Sequence, residues 1–145
     1  MTMEWIERLR EISRDVEFLP PATAAVLADA ERVLGELPTE LTDLLSRSNG
    51  VVCRSFRIYS AFDRDQPKKT WESLQRANDI EKTRALGGDR DLLDRFLVFA
   101  DIGGGFAVWD RTDHSIWFEE LDNDDLRQTD LSFQAFVESM VRDAE

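Results

Sequence analysis

The stretch FLVFADIGGGFAVWDRTDHSIWF, residues 96–118, decides the fold class. It opens with five apolar residues, a run of strand length, and Gly103-Gly104-Gly105 then forms a turn in which at least one residue needs a positive φ. Two further apolar runs, Phe106–Trp109 and Ser115–Phe118, flank turn-forming residues and predict a β-hairpin. The stretch therefore predicts three consecutive antiparallel strands.

The predicted hairpin is apolar on both faces. Its turn brings Trp109 opposite Ile116 on one face. The next pair, Val108 and Trp117, then meets on the other face. Either helices cover the sheet on both sides, or one face is a groove that receives a partner.

Helical spacing precedes these strands in three segments. The first lies around Trp5 and Leu9, the second follows Thr23 and ends at Gly35, and the third starts at Pro38. The third helix is predicted to bury Leu41, Leu44 and Leu45 before Asn49-Gly50 ends it.

The segment between the helices and the central strands is less regular. Val51–Tyr59 is predicted to be a strand and Phe62–Lys69 a polar loop. Thr70–Leu86 is predicted to be helical around Trp71, Leu74 and Ile80.

The chain closes with a clear amphipathic helix, capped by Asp130 or Ser132 and packed through Phe133, Phe136, Val137 and Met140. The order of elements predicts an α+β fold in which N-terminal helices and a closing C-terminal helix pack on a central antiparallel sheet. Without an internal repeat or a linker-like stretch, residues 1–145 are expected to form one domain.

The composition is that of an acidic globular protein. The 145 residues carry 18 Lys and Arg against 30 Asp and Glu, a net charge of −12, and 42% are hydrophobic. Binding to nucleic acid or to an anionic membrane is not expected, because phosphates are neutralised by Lys and Arg. The sequence shows neither a signal peptide nor an apolar run that could span a bilayer, so we expect a cytoplasmic protein.

The search for reactive patterns predicts no catalytic residue, metal site or cofactor. His114, the only histidine, lies in the predicted hairpin turn, where an exposed polar role is expected; an enzyme built around it ranks third among our hypotheses. Cys53, the only cysteine, is expected to be a small core residue. The three glycines lack the spacing of a phosphate-binding loop, and Asp122-Asn123-Asp124 lacks the closing Glu of a calcium loop.

The densest negative charge lies directly after the predicted hairpin, in the stretch EELDNDD at 119–125. Like charges packed this closely repel one another, so a solvated loop is expected. The five carboxylates of this acidic segment are Glu119, Glu120, Asp122, Asp124 and Asp125.

Three segments, in this order, resemble the SUKH superfamily, the Syd and SMI/KNR-like domains. They are LGELPTEL at 34–41 running into Asn49-Gly50, FLVFAD at 96–101 before the three glycines, and SFQAFV at 132–137. The resemblance extends from about Thr23 to Val141. It implies an α+β fold without defined catalytic residues and, for many bacterial members, an immunity role: binding and neutralising a cognate toxin domain, frequently a nuclease. Fungal relatives are instead regulatory and scaffolding proteins.

These observations favour a non-enzymatic, immunity-like protein that binds a basic toxin domain through an acidic surface. The alternative is an endogenous regulatory or scaffold domain that binds a host protein. The five carboxylates of the acidic segment are the predicted partner-binding residues, with Trp117 as a possible apolar anchor beside them. The sequence leaves the identity of the partner and the oligomeric state open.

Overall fold

The computed structural model describes residues 4–12, 16–81, 94–103, 105–119 and 126–143. The helices are α1 (Glu4–Ile12), α2 (Ala24–Leu34), α3 (Thr39–Arg47), α4 (Leu74–Arg76), which continues as a π-helical turn (Ala77–Glu81), and α5 (Phe133–Asp143). The strands are β1 (Glu17–Phe18), β2 (Val51–Val52), β3 (Arg57–Ile58), β4 (Phe96–Asp101), β5 (Phe106–Asp110), β6 (Ile116–Glu119) and β7 (Leu126–Gln128).

The seven described strands form one antiparallel sheet in which each strand pairs with its neighbours in chain order. Three helices lie in the first third of the chain, with β1 between α1 and α2, and α5 follows the last strand, so the predicted α+β fold is confirmed. Helix α5 packs against α1 and α3 and brings both into one core with the sheet.

The predicted register of the β5–β6 hairpin is also confirmed. Trp109 pairs with Ile116 and Val108 with Trp117, and the N–H of Asp110 donates to a carbonyl across the turn at 2.9 Å. Every residue of β4 from 96 to 100, and of β5 from 107 to 110, is buried. Because neighbouring residues in a strand point to opposite faces, both faces of this strand pair are covered.

A side-chain amide extends the sheet where β3 ends. The N–H and C=O of Val98 both bond the side chain of Asn78, at 2.8 Å each, while the N–H of Tyr59 donates to the carbonyl of Phe99. Asn78 therefore satisfies backbone groups of β4 that no strand reaches, which places the π-helical turn against this edge.

A second buried amide fixes the end of α3. The side chain of Asn49 donates to the carbonyl of Ala61 at 2.9 Å and accepts from its N–H at 2.8 Å, and Asn49 is almost fully buried. The adjacent Gly50 has φ +119°, and a Cβ there would lie 2.6 Å from the hydroxyl of Ser60. The Asn-Gly pair thus has a structural role.

The helix ends follow the predicted signals. The hydroxyl of Thr23 accepts from the N–H of Val26 at 3.2 Å, and Gly35 ends α2 with φ +83°. Of the two caps proposed for α5, Ser132 fills the position and accepts from the N–H of Ala135 at 3.1 Å. Pro38 lies one position earlier than predicted, as the residue that precedes α3.

The glycine turn after β4 also behaves as predicted. Gly103 has φ +83°, and its N–H donates to the carboxylate of Asp101 at 2.8 Å. Gly105 serves a different purpose, because a Cβ there would lie 2.7 Å from the carbonyl oxygen of Glu119. Gly104 lies outside the described residues.

Two predicted elements differ from the structure. The segment Val51–Tyr59 is two short strands joined by a turn rather than one strand. The helix predicted from residue 70 begins at Leu74, since the hydroxyl of Ser73 caps it, and Trp71 lies outside it with an exposed side chain. Residues 82–86 of that prediction lie outside the described residues.

The predicted core residues meet at the centre of the molecule. The ring of Phe99 lies 4.9 Å from that of Phe133 and 6.0 Å from that of Phe136, and Phe106 is half-buried at the edge of this core. The buried leucines and valine from the prediction are Leu37, Leu41, Leu44, Leu45 and Val137.

Replacing Phe136 with alanine tests this packing. We expect Phe136→Ala to lower the free energy of unfolding by about 3–5 kcal/mol, because it leaves a cavity beside Phe99. Urea denaturation measures the loss, and Leu131→Ala, at a residue that is 38% exposed, is the control and should change stability by less than about 0.5 kcal/mol. An equally small loss for Phe136→Ala would contradict the packing.

Candidate functional site

Glu119 and Leu126, the described residues on either side of the rest of the acidic segment, are paired in the sheet. Glu119 is the last residue of β6, and Leu126 is the first residue of β7. The other predicted partner-binding carboxylates, Glu120, Asp122, Asp124 and Asp125, lie outside the described residues. The segment that carries them therefore starts and ends at neighbouring positions of the sheet.

Trp117 is supported from several directions. Its ring meets that of Phe96 edge to face at 5.6 Å, its indole N–H donates to the hydroxyl of Ser115 at 2.9 Å, and the guanidinium of Arg95 lies 5.7 Å from its centre. The side chain is half-buried, so it contributes to packing while part of it faces solvent. Its role as an anchor for a partner stays a prediction.

The buried carboxylate of Asp110 lies at the other end of this hairpin, beside its turn. The side chain of Asp110 has no solvent exposure, and one of its oxygens accepts from two nitrogens of Arg95, at 2.6 and 2.9 Å. Its other oxygen accepts from the N–H of Thr112 at 2.8 Å. A buried charge is tolerated only when it is paired and hydrogen-bonded, and Asp110 meets both conditions.

The ionisation of Asp110 reflects these partners. Burial, the strongest influence, would by itself raise the pKa of the carboxyl. The hydrogen bonds from Arg95 and Thr112, together with the positive charge of Arg95, outweigh burial and hold the pKa below the usual range of aspartate. The hydrogen bond to Asp110 in turn raises the pKa of Arg95.

The next residue, Arg111, joins the hairpin to α2. Its guanidinium donates to the carbonyl of Leu34, the last residue of α2, and to that of Glu36, both at 2.7 Å. The last carbonyls of a helix have no partner within it and carry partial negative charge, so a cation is well placed here. Burial lowers the pKa of Arg111, while the charge of Glu36 opposes this.

An open groove runs along the other side of α2. Its walls are α2 and the segment 62–79, and its volume is about 1140 Å³. Three large apolar side chains, Val33, Phe62 and Trp71, line it and are exposed. The sequence analysis does not predict this surface, because it places Trp71 in a helix with Leu74 and Ile80. The charged neighbours of Trp71, which are Lys68, Lys69 and Glu72, are the signal in the sequence that it is exposed.

The two residues considered for chemistry have structural surroundings. His114 is exposed in the hairpin turn, as predicted, with φ +65° and its ring stacked 4.9 Å from that of Trp109. Cys53 is half-buried rather than fully buried, and its sulfur lies 3.4 Å from the hydroxyl of Ser55. Within the described residues, no three His, Cys, Asp or Glu side chains are close enough to share a metal ion.

None of the described helices has the length and apolar character to cross a membrane.

Comparison with known proteins finds a matching family. The family model described as SMI1 / KNR4 family (SUKH-1) matches residues 21–139, most of the chain. The match takes in α2, the groove, the central strands and the acidic segment. No curated protein matches the chain significantly.

The Asp110 pair gives stability that depends on pH. We expect Asp110→Asn to lower the free energy of unfolding by about 1–3 kcal/mol at pH 7, because Arg95 loses its charged partner. A carboxyl whose pKa is lower in the folded state stabilises the fold above its unfolded pKa and loses this contribution as pH falls. The difference between wild type and Asp110→Asn should therefore shrink below about pH 4.

Urea denaturation at several pH values measures this difference. Asp130→Asn, at an exposed carboxylate, is the control and should stay within about 0.5 kcal/mol of wild type at neutral pH. A difference between wild type and Asp110→Asn that is constant from pH 7 to about pH 3 would contradict the role assigned to the charge.

Proposed function

We propose, since the chain belongs to the SMI1/KNR4 family (SUKH-1), that it is a non-enzymatic protein-binding domain that acts as an immunity protein in the bacterial cytoplasm. Its partner is a basic toxin domain, such as a nuclease, which it neutralises by occupying the surface that would otherwise bind substrate. No cofactor takes part in this role.

One observation carries the proposal: the densest negative charge of the sequence lies between two residues that are paired in the sheet. Five carboxylates occur within the seven residues 119–125, and Glu119, the first of them, is paired in the sheet with Leu126, the residue that follows the stretch. Residues 73–145 hold seventeen acidic and eight basic residues, against thirteen and ten in residues 1–72. The segment thus lies in the more acidic half of a chain with a net charge of −12.

The charge suits a basic partner for a physical reason. Nucleases bind polyanions, so their active sites are lined with cationic groups, and an acidic protein is attracted to the same field. Such complementarity speeds association toward about 10⁸–10⁹ M⁻¹s⁻¹ at low salt and fixes the orientation of the partners. Immunity against a toxin benefits from this speed, because the toxin must be captured before it acts.

Reversing the charge of the acidic segment tests the proposal. We expect Asp122→Lys, Asp124→Lys and Asp125→Lys together to slow association about tenfold or more at low salt, while the stability changes little. Stopped-flow kinetics with the purified toxin domain encoded beside the gene measures the rate. The matched control reverses Glu11, Glu17 and Glu31, exposed acids on other elements, and should slow association by less than about threefold.

An unchanged association rate in the segment variant would contradict the proposal, and so would a wild-type rate that does not fall with salt. Equal slowing in the two triple variants would assign the effect to net charge and not to this segment. The absence of a toxin gene near that of the chain would favour the alternative, a regulatory or scaffold domain that binds a host protein.

A further inference from the structure

The groove beside α2 concentrates the exposed apolar surface of the described residues. Val33 is 59% exposed, Trp71 58% and Phe62 37%, and all three line the groove. The one other large apolar side chain that is exposed among the described residues is Leu131. Single exposed apolar side chains are ordinary on a protein surface, whereas a cluster in one concave site indicates a binding surface.

The size of the groove indicates the class of ligand. Its volume of about 1140 Å³ exceeds the range of roughly 300–1,000 Å³ that holds small molecules. It lies between α2 and the segment 62–79 and is partly open to solvent. A segment of polypeptide fits such a site, and an amphipathic helix laid between two walls is the recurring way in which proteins fill one.

The charges of the groove indicate a cationic ligand. Four aspartates and three arginines line it. Three positive against four negative charges give the lining a formal net charge of −1. Arg32 pairs with Asp29 within the lining at 3.3 Å, and Arg76 pairs with Glu72, which lies outside the lining, at 3.2 Å. The site is therefore weakly acidic on a strongly acidic protein, and cationic side chains at the rim of a ligand would meet a favourable field.

Trp71 has the surroundings of an anchor residue. The guanidinium of Arg76 lies 5.2 Å from its ring centre and is itself held by Glu72, so the indole is oriented by a cation–π contact before any ligand arrives. More than half of its surface remains open. Oriented aromatic side chains of this kind supply much of the binding energy at protein interfaces.

We propose that this groove binds a cationic amphipathic helix of a partner protein, with Trp71 as its anchor. The proposal rests on the proposed function in one respect, since the partner is the same basic protein that the acidic segment attracts. The two surfaces have separate tasks: the acidic segment sets the rate of association, and the groove sets the rate of dissociation.

The first test needs no natural partner. The full chain, labelled with ¹⁵N, is titrated with a Leu/Lys amphipathic helical peptide of about 18 residues and with the corresponding Leu/Glu peptide, and the indole N–H signals of the four tryptophans are followed by NMR. We expect the Leu/Lys peptide to shift the Trp71 signal saturably while the signals of the buried Trp5 and Trp109 stay in place. The Leu/Glu peptide should not shift it.

Variants separate the groove from general attraction to acidic protein. Trp71→Ala and Val33→Asn replace exposed side chains, so both should fold, and each should weaken binding of the Leu/Lys peptide about tenfold or more. Leu131→Ala, the matched control outside the groove, should leave the affinity within about twofold. Equal affinity of wild type and Trp71→Ala, no shift of the Trp71 signal, or an equal response to both peptides would overturn the proposal. If the Trp71 signal shifts as the concentration of the chain is raised without any peptide, the groove binds a second copy of the chain, and the proposal is also overturned.

Kinetics with the toxin domain distinguish this proposal from the proposed function. We expect Trp71→Ala to raise the dissociation rate about tenfold or more with little change in the association rate. Reversing the charges of the acidic segment should instead slow association with little change in the dissociation rate. If Trp71→Ala leaves dissociation unchanged while the reversal slows association, the groove proposal fails and the acidic surface stands; the converse result rejects the acidic surface and retains the groove.

Discussion

The buried carboxylate of Asp110 is the constraint on which the arrangement of the sheet and its surfaces depends. A charge without solvent must be paired, and the pair with Arg95 fixes the residue before β4 against the last residue of β5. The guanidinium of Arg95 also lies 5.0 Å from the ring centre of Phe96 and 5.7 Å from that of Trp117. One ion pair thereby sets the end of the central strand pair and covers the aromatic residues next to it.

The hairpin turn next to Asp110 also connects the sheet to α2. Arg111, next in the chain, binds the carbonyl of Leu34, the last residue of α2, and that of Glu36 just beyond it, and α2 is one wall of the groove. The opposite wall is fixed to β4 by the side chain of Asn78. Both walls of the groove are thus attached to the central strands through buried or half-buried polar contacts, which is how a rigid site for a partner is built.

Much of the fold could be predicted because its signals are local. The cap at Thr23, the turn at Gly35 and the hairpin pairing of Trp109 with Ile116 each follow from residue types at short spacing, and the structure confirms them. The family resemblance that was read from three short segments is confirmed over residues 21–139.

What the sequence did not show depends on contacts between distant residues. Asp110 is one of 30 acidic residues, and its pairing with Arg95 joins positions fifteen apart that only the folded sheet brings together. Trp71 has the helical spacing of a core residue, yet the capping hydroxyl of Ser73 starts the helix after it and leaves the indole exposed. The acidic segment, by contrast, was visible directly, because charge density is a property of the sequence itself.

The central claim is that one partner is held by two surfaces, the acidic segment after β6 and the groove beside α2. Hydrogen exchange of the full chain, alone and bound to the proposed toxin partner, tests it most directly, because protection maps the contact surface along the whole sequence. The account predicts slower exchange in residues 62–79 and 116–128, with α1 and β1 unchanged. Protection confined to α1, β1 and β2, with both predicted segments exchanging as in the free chain, would contradict it.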